Sequence, residues 1–194
     1  MLPAIRTLRP ADPAWPSALN DLQPTPKQLY LLGDPGLLAA PGGLVAIVGT
    51  RRATAYGERV ADRLGEAFAS AGVPVVSGLA RGIDAAAHRG ALRGGGRTIA
   101  VMGTGVDVPY PAGHRDLHHT ISVQGLVIAE QEPGSPAHQG SFPQRNRIIA
   151  ALARVLIVVE APHKSGAMNT VDHAQALGRT VAAVPGPIDS PQSA

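Results

Sequence analysis

From Leu44 onward the chain alternates two hydrophobic patterns. Short runs that are apolar almost throughout (Leu44 to Val48, Val73 to Val76, Thr98 to Met102, Leu126 to Ala129, Val155 to Val159 and Thr180 to Val184) are separated by longer stretches of helical period. A run that does not alternate in and out predicts a strand covered on both faces. In the first intervening stretch Val60, Leu64, Ala67, Phe68 and Ala71 recur at three-to-four spacing, while Glu58, Arg59, Asp62, Arg63 and Glu66 take the other side, which predicts an amphipathic helix. Strand and helix in strict alternation predict an α/β protein with a parallel sheet. Right-handed crossovers then place helices on both faces, giving a Rossmann-like, doubly wound, mostly parallel sheet. The preceding segment reads differently, with Pro at 3, 10, 13, 16, 24, 26, 35 and 41 and a brief helical stretch from Trp15 to Leu22. The expected division is an irregular Pro-rich arm or lead-in over 1–42, the Rossmann-like domain over 43–190, and a tail over 191–194.

Composition narrows the chemistry. The 194 residues include no Cys, which excludes a disulfide scaffold, a thiol nucleophile and cysteine-ligated metal, and fits a reducing cytoplasm. The longest apolar runs are short and broken by Gly or Pro, and the start lacks the layout of a signal peptide, so neither export nor a membrane partner is expected. Lys and Arg number 17 against 14 Asp and Glu, a net charge of only +3, and all but two of the basic residues are Arg. Such a balance points to local anion sites more than to a broad basic coat.

The unusual residues cluster where a doubly wound sheet binds its ligands, beyond the carboxyl ends of the strands. After the first strand come Gly49, Thr50, Arg51 and Arg52, with Tyr56-Gly57 opening the helix; small residues, amide groups and two guanidinium groups suit a phosphate cradle. A tight turn with solvated Arg side chains accounts for the same residues. The Gly spacing is not the dinucleotide fingerprint, and no Walker sequence is present, so no cofactor is expected. The second strand ends in Ser77-Gly78-Leu79-Ala80-Arg81-Gly82, a turn suited to an oxyanion, followed by Asp84 and His88 one helical turn apart. A structural contact between Asp84 and His88 is the expected arrangement, and no catalytic residue is assigned, since the nucleophile elbow is missing around Ser77. Gly103-Thr104-Gly105, Tyr110-Pro111 and Arg115 follow the third strand. His114 and His118 stand four apart, but without a third ligand no metal is expected, and an exposed helix face is the reading adopted. Phe142-Pro143 precedes Arg145, Asn146 and Arg147, read as the first turn of a helix, where basic residues conflict with the helix dipole unless an anion is bound; one of these Arg is expected to pair with Glu130 or Glu160. The fifth strand leads into Glu160, Lys164, Ser165, Gly166, Asn169 and Thr170.

Taken together, these stretches closely resemble the DprA/Smf family, the DNA-processing proteins of natural transformation. The matching residues are Val48-Gly49-Thr50-Arg51, Tyr56-Gly57, Ser77 to Ala80, Gly82-Ile83-Asp84 with His88, Gly103-Thr104-Gly105, Tyr110-Pro111, Phe142-Pro143 with Arg145-Asn146-Arg147, Glu160 with Ser165-Gly166 and Thr170, and Val184-Pro185-Gly186. The resemblance covers roughly Gly43 to Ile188, with a weaker match over Trp15 to Gly33. It implies an extended Rossmann fold that binds single-stranded DNA over the strand ends, self-associates as a homodimer, and loads the RecA recombinase. Against the family pattern, the helical N-terminal domain and the small C-terminal winged-helix-like domain are expected to be missing, which bears on dimerisation and on RecA contact. The expected DNA or phosphate site comprises Gly49, Thr50, Arg51, Arg52, Ser77, Gly78, Leu79, Ala80, Gly103, Gly105, Arg115, Phe142, Arg145, Asn146, Lys164, Ser165 and Gly166. Among the six aromatic residues Phe142 is the expected base-stacking group, with Tyr110 beside it; Trp15, Tyr30, Tyr56 and Phe68 read as packing residues. The alternative is a LOG-like nucleotide phosphoribohydrolase, for which Glu160, Ser165-Gly166 and Thr170 carry only a fragment of the signature.

Overall fold

The computed structural model describes residues 3–162 and 165–186. Eight strands form one sheet: β1 (Arg6–Leu8), β2 (Leu29–Gly33), β3 (Leu44–Val48), β4 (Val75–Ser77), β5 (Thr98–Met102), β6 (Leu126–Ala129), β7 (Ala153–Val158) and β8 (Thr180–Ala183). Five helices connect them: α1 (Ala55–Ser70), α2 (Ile83–Arg93), α3 (Arg115–Gln124), α4 (Ser141–Leu152) and α5 (Gly166–Ala176). The strand order is β1-β2-β6-β5-β4-β3-β7-β8, parallel from β6 to β8 and antiparallel at β1 and β2. The order reverses direction at β3, between β4 and β7, which opens a crevice at the carboxyl ends beside β3.

The six predicted strands are present within a residue or two. The Pro-rich lead-in is not irregular: it contributes β1 and β2, extends the sheet beyond β6, and buries Leu19, Leu29 and Trp15. Proline is tolerated between these strands because the connection lies outside the sheet ladder and holds only one short 3-10 turn, Ser17–Asp21.

Alternate residues of β3 enter different cores. Val45 and Ile47 pack with α1 and α2 on one face, and Leu44, Ala46 and Val48 pack with α4 and α5 on the other. A third cluster gathers Ala100, Met102, Val127 and Ala129 with Ile121 of α3. The deepest side of α1 is not the large-residue stripe of the periodicity. Gly57, Ala61, Gly65 and Ala69 are its buried residues, whereas Val60, Leu64 and Phe68 are half-buried beside them. At Gly65 an added Cβ meets the Ala87 carbonyl, and at Gly90 of α2 it meets the Asp62 carbonyl, so the two helices touch backbone to backbone. This draws the loops after β3 and β4 together over the crevice.

Candidate nucleic-acid interface

Thr50 closes the first turn in three directions. Its amide donates to the Glu160 carbonyl at 2.6 Å, its carbonyl accepts from the Ile83 amide, and its hydroxyl accepts from the Arg52 amide. These bonds leave the Arg51 and Arg52 side chains projecting into solvent over the crevice. The start of α1 is already occupied by an anion of the protein itself. Glu160, buried at the end of β7, accepts from the Thr54 amide at 2.9 Å and its hydroxyl at 2.5 Å, and Thr54 in turn caps the Gly57 amide. A Cβ at Gly57 would run into the Glu160 carboxyl group, so the glycine makes room for this internal carboxylate rather than for a bound phosphate.

The second turn repeats the arrangement. Leu79 has a φ of 57°, and Gly82 one of 70°, so the chain curls its amides inward, and Asp84 accepts from the Gly78 amide at 3.1 Å and the Ala80 amide at 3.4 Å. The nest predicted for a phosphate is therefore filled by Asp84. Burial raises the Asp84 carboxyl above the usual carboxylate range, and the Arg145 charge with the two amides pulls it back. His88 does not meet Asp84. Its Nδ1 lies 2.7 Å from the Thr98 hydroxyl, which itself donates to the Val75 carbonyl, so the histidine is the donor through Nδ1–H. Burial first, then the Arg145 and His114 charges, lower His88 to about 3. The Ser77 hydroxyl lies close enough to Asp84 to help lower that carboxyl, but its proton is donated to the Ile47 carbonyl at 2.7 Å. Ser77, Asp84 and His88 thus form no nucleophile and base pair.

Helix α4 begins at Ser141, so Phe142 and Pro143 lie within its first turn and Arg145, Asn146 and Arg147 in the second, all three buried. The expected dipole conflict is absent. Arg145 donates to the carbonyls of Gly78 and Val101, and Arg147 donates to the Pro24 carbonyl and forks onto both Glu130 oxygens at 2.7 Å. Burial lowers Arg145 to about 10, which keeps it charged at neutral pH. Its guanidinium fills the space a side chain at Gly78 would need, with a built Cβ only 2.5 Å away.

The open part of the crevice is organised around Phe142. Its ring centroid lies 5.1 Å from that of Tyr110, tilted by 36°, and the Arg51 guanidinium sits 5.6 Å above it. On one side lies a cavity of about 330 Å³ lined by Arg51, Arg52, Arg81, Gly103 and Pro111 among others. On the other lies one of about 560 Å³, which includes Gly49, Thr50, Asn146, Ser165, Gly166 and Asn169. Gly78 lines the first and Ala80 lines both.

Besides the buried Ser77, three expected site residues stand outside both cavities. Leu79 is fully buried in the α3-side core; Gly105 donates its amide to the Ser135 carbonyl and steadies the loop before α4; Arg115 opens α3 on the exposed surface, outside both cavities. Lys164 lies outside the described residues. Tyr56 is exposed rather than packed, its hydroxyl donating to the Pro185 carbonyl, and His118 is buried with Nε2 on the Val106 carbonyl rather than on an exposed face. Among the described residues no three His, Cys, Asp or Glu gather as a metal site needs, and no helix is long and apolar enough to cross a membrane. Met102 and Gln139 also line the crevice without having been marked by the sequence, because they sit in ordinary strand and loop composition that carries no signal.

Residues 6–194 match the family model described as DNA recombination-mediator protein A. The chain belongs to this family. A Mycobacterium tuberculosis relative described as a DNA processing protein DprA is 46% identical over 97% of this chain and 51% of its own length. The DprA structure from Streptococcus pneumoniae superposes with a TM-score of 0.91 at 39% identity, covering 97% of this chain and 66% of that one. The Helicobacter pylori DprA structure, described in terms of a single-stranded DNA binding mode, superposes with a TM-score of 0.89 at 34% identity, covering 97% and 84%. The chain spans about half the length of the Mycobacterium tuberculosis and Synechocystis relatives it matches. Membership of this family accounts for the α/β fold, which the two DprA structures share.

Proposed function

We propose that this chain binds single-stranded DNA along the crevice, without catalysing a reaction, and that it acts in the cytoplasm as a homodimeric mediator that loads RecA during natural transformation. The observation that carries the DNA reading is the stack of Arg51, Phe142 and Tyr110, a cation and two aromatic faces side by side at the mouth of an open cleft. A single strand offers both partners at once, phosphates for Arg51, Arg52 and Arg81 and an unpaired base for Phe142. The binding mode ascribed to the Helicobacter pylori relative supports this reading. The RecA and homodimer parts rest on family membership alone. The phosphoribohydrolase alternative loses its acid, because both Glu160 oxygens are engaged at the start of α1.

The test is a titration with single- and double-stranded oligonucleotides at two salt concentrations. Three exposed guanidinium groups lead us to expect a slope of log affinity against log salt of roughly −2 on a single strand. Phe142→Ala should weaken single-strand binding about tenfold or more while leaving that slope in place. Equal affinity for duplex and single strand, unchanged by Phe142→Ala, would refute the stacking role.

A further inference from the structure

Phe142 lines two adjoining compartments whose remaining walls differ in chemistry. The first is ringed by the exposed arginines; the second shares Arg51 and Arg52 with it, holds Asp84 and Arg145 already bonded to backbone groups, and adds walls of Val48, Ile149 and Ala167 and a floor of uncharged polar groups from α4 and α5. Its volume of about 560 Å³ falls within the range of small-ligand sites. A run of hydrogen bonds crosses that floor. Arg145 Nε donates to Asn146 Oδ1 at 3.2 Å, and Asn146 Nδ2 donates to the Gly166 carbonyl and to Asn169 Oδ1, each at 3.1 Å. A guanidinium only donates and a peptide carbonyl only accepts, so Asn146 has one orientation, and Asn169 must turn its oxygen toward it. Both N–H groups of Asn169 are then left on the cavity wall, with no acceptor among the described residues. Ser165 lines the same cavity, and its buried hydroxyl likewise finds no partner among the described residues.

Fixed donors in a cavity with apolar walls select a flat ligand that carries acceptors on its edge. An amide reads adenine with its oxygen and its nitrogen together, on N6 and N7. Here the oxygen is held by Asn146, so only the donors remain for a ligand. We propose that the second compartment receives one base of the bound strand, and that Asn169, positioned by Asn146, reads its carbonyl oxygens and so favours thymine or guanine over adenine. This rests on the single-strand reading above and adds base preference to it.

The experiment compares fluorescently labelled oligo-dT and oligo-dA hexamers on the wild type, Asn169→Ala, Asn169→Asp and Asn146→Ala, with the salt slope measured for each. The decisive quantity is the change in the dT-to-dA affinity ratio on substitution, since homopolymers differ in stacking and flexibility before any protein reads them. Asn169→Ala should lower that ratio about fivefold or more at an unchanged salt slope. Asn169→Asp, which exchanges donors for acceptors, should lower it further by favouring the adenine amino group, and Asn146→Ala should lower it less by releasing the orientation of Asn169. A ratio that none of the three changes, or a loss equal for both oligomers, overturns base reading while leaving strand binding intact. Failure of the wild type to bind either hexamer overturns the single-strand reading itself.

Discussion

Arg51 and Arg52, after β3, and Arg145 and Arg147, in α4, are the same residue type at the same end of the same sheet. The first pair stands in solvent; the second is buried and spent on carbonyls and on Glu130. The backbone makes the same division. The turns after β3 and β4 have the curl and the small residues of anion sites, yet each already encloses a carboxylate of the protein, Glu160 in one and Asp84 in the other. What is left for a foreign anion is a layer of exposed guanidinium groups on a scaffold whose own charges are internally matched. A net charge of +3 is then enough, because it is the exposed charge at the crevice mouth that meets a ligand.

The widest separation between the two pairs should come from Arg145→Met. Methionine keeps much of the length but leaves the Gly78 and Val101 carbonyls without a donor and the buried Asp84 without its countercharge. Removing one partner of a buried pair costs about 3–5 kcal/mol. For a domain of this size that is a fall in Tm of roughly 10 °C, checked by calorimetry or by circular dichroism melting. An unchanged Tm would place Arg145 with the ligand-facing arginines and undo the comparison.

These roles were only partly legible in the sequence. Strand positions were, because β3, β5 and β6 are apolar at nearly every position over runs too short for a buried helix. The crevice was, because the Gly-rich turns and the Arg residues all follow strands. Which Arg faces solvent was not, since it depends on where α4 begins: at Ser141 rather than after Pro143, which carries Arg145 to Arg147 into the second turn and inward. Occupation of the two nests was also hidden. Glu160 lies 106 residues from Thr54, and that pairing exists only through the β3 and β7 register. The Pro-rich lead-in concealed β2 for the related reason that its strand character is supplied by pairing with β6, far along the chain.

A smaller effect, and one that depends on pH, is expected at His88 behind the second turn. The histidine is neutral in the fold, lowered to about 3 from an ordinary value of 6.5. The unfolded chain therefore binds a proton below pH 6.5 that the folded one refuses, so its contribution is fully present above pH 6.5 and is lost as pH falls toward 3. The slope approaches 1.4 kcal/mol per pH unit. Asp84, raised by burial, works in the opposite sense, binding its proton more readily in the fold, so the wild-type curve mixes the two. Subtracting the His88→Gln curve isolates the histidine, because an uncharged amide at 88 can still donate to Thr98. The wild-type advantage over His88→Gln should shrink steadily from pH 6.5 downward in denaturant titrations; a difference independent of pH would mean that the histidine protonates inside the fold.

Arg51→Ala is expected to have the smallest effect on stability and to be the sharpest counterpart to Arg145→Met. Arg51 makes no ion pair among the described residues, and its guanidinium touches the fold through the face of Phe142. Losing an exposed cation over an aromatic ring amounts to about 0.5–1 kcal/mol, a shift of only a few degrees in Tm. Binding should respond differently: one phosphate contact fewer makes the salt dependence shallower by about 0.7 on a single strand, with affinity falling most at low salt where the released counterions matter most. Oligonucleotide titrations across a salt series on the same preparation used for melting separate the two readouts. If Arg51→Ala lowered Tm as far as Arg145→Met while leaving the salt slope alone, solvent exposure would have failed as the property that tells a ligand-binding arginine from a scaffold one.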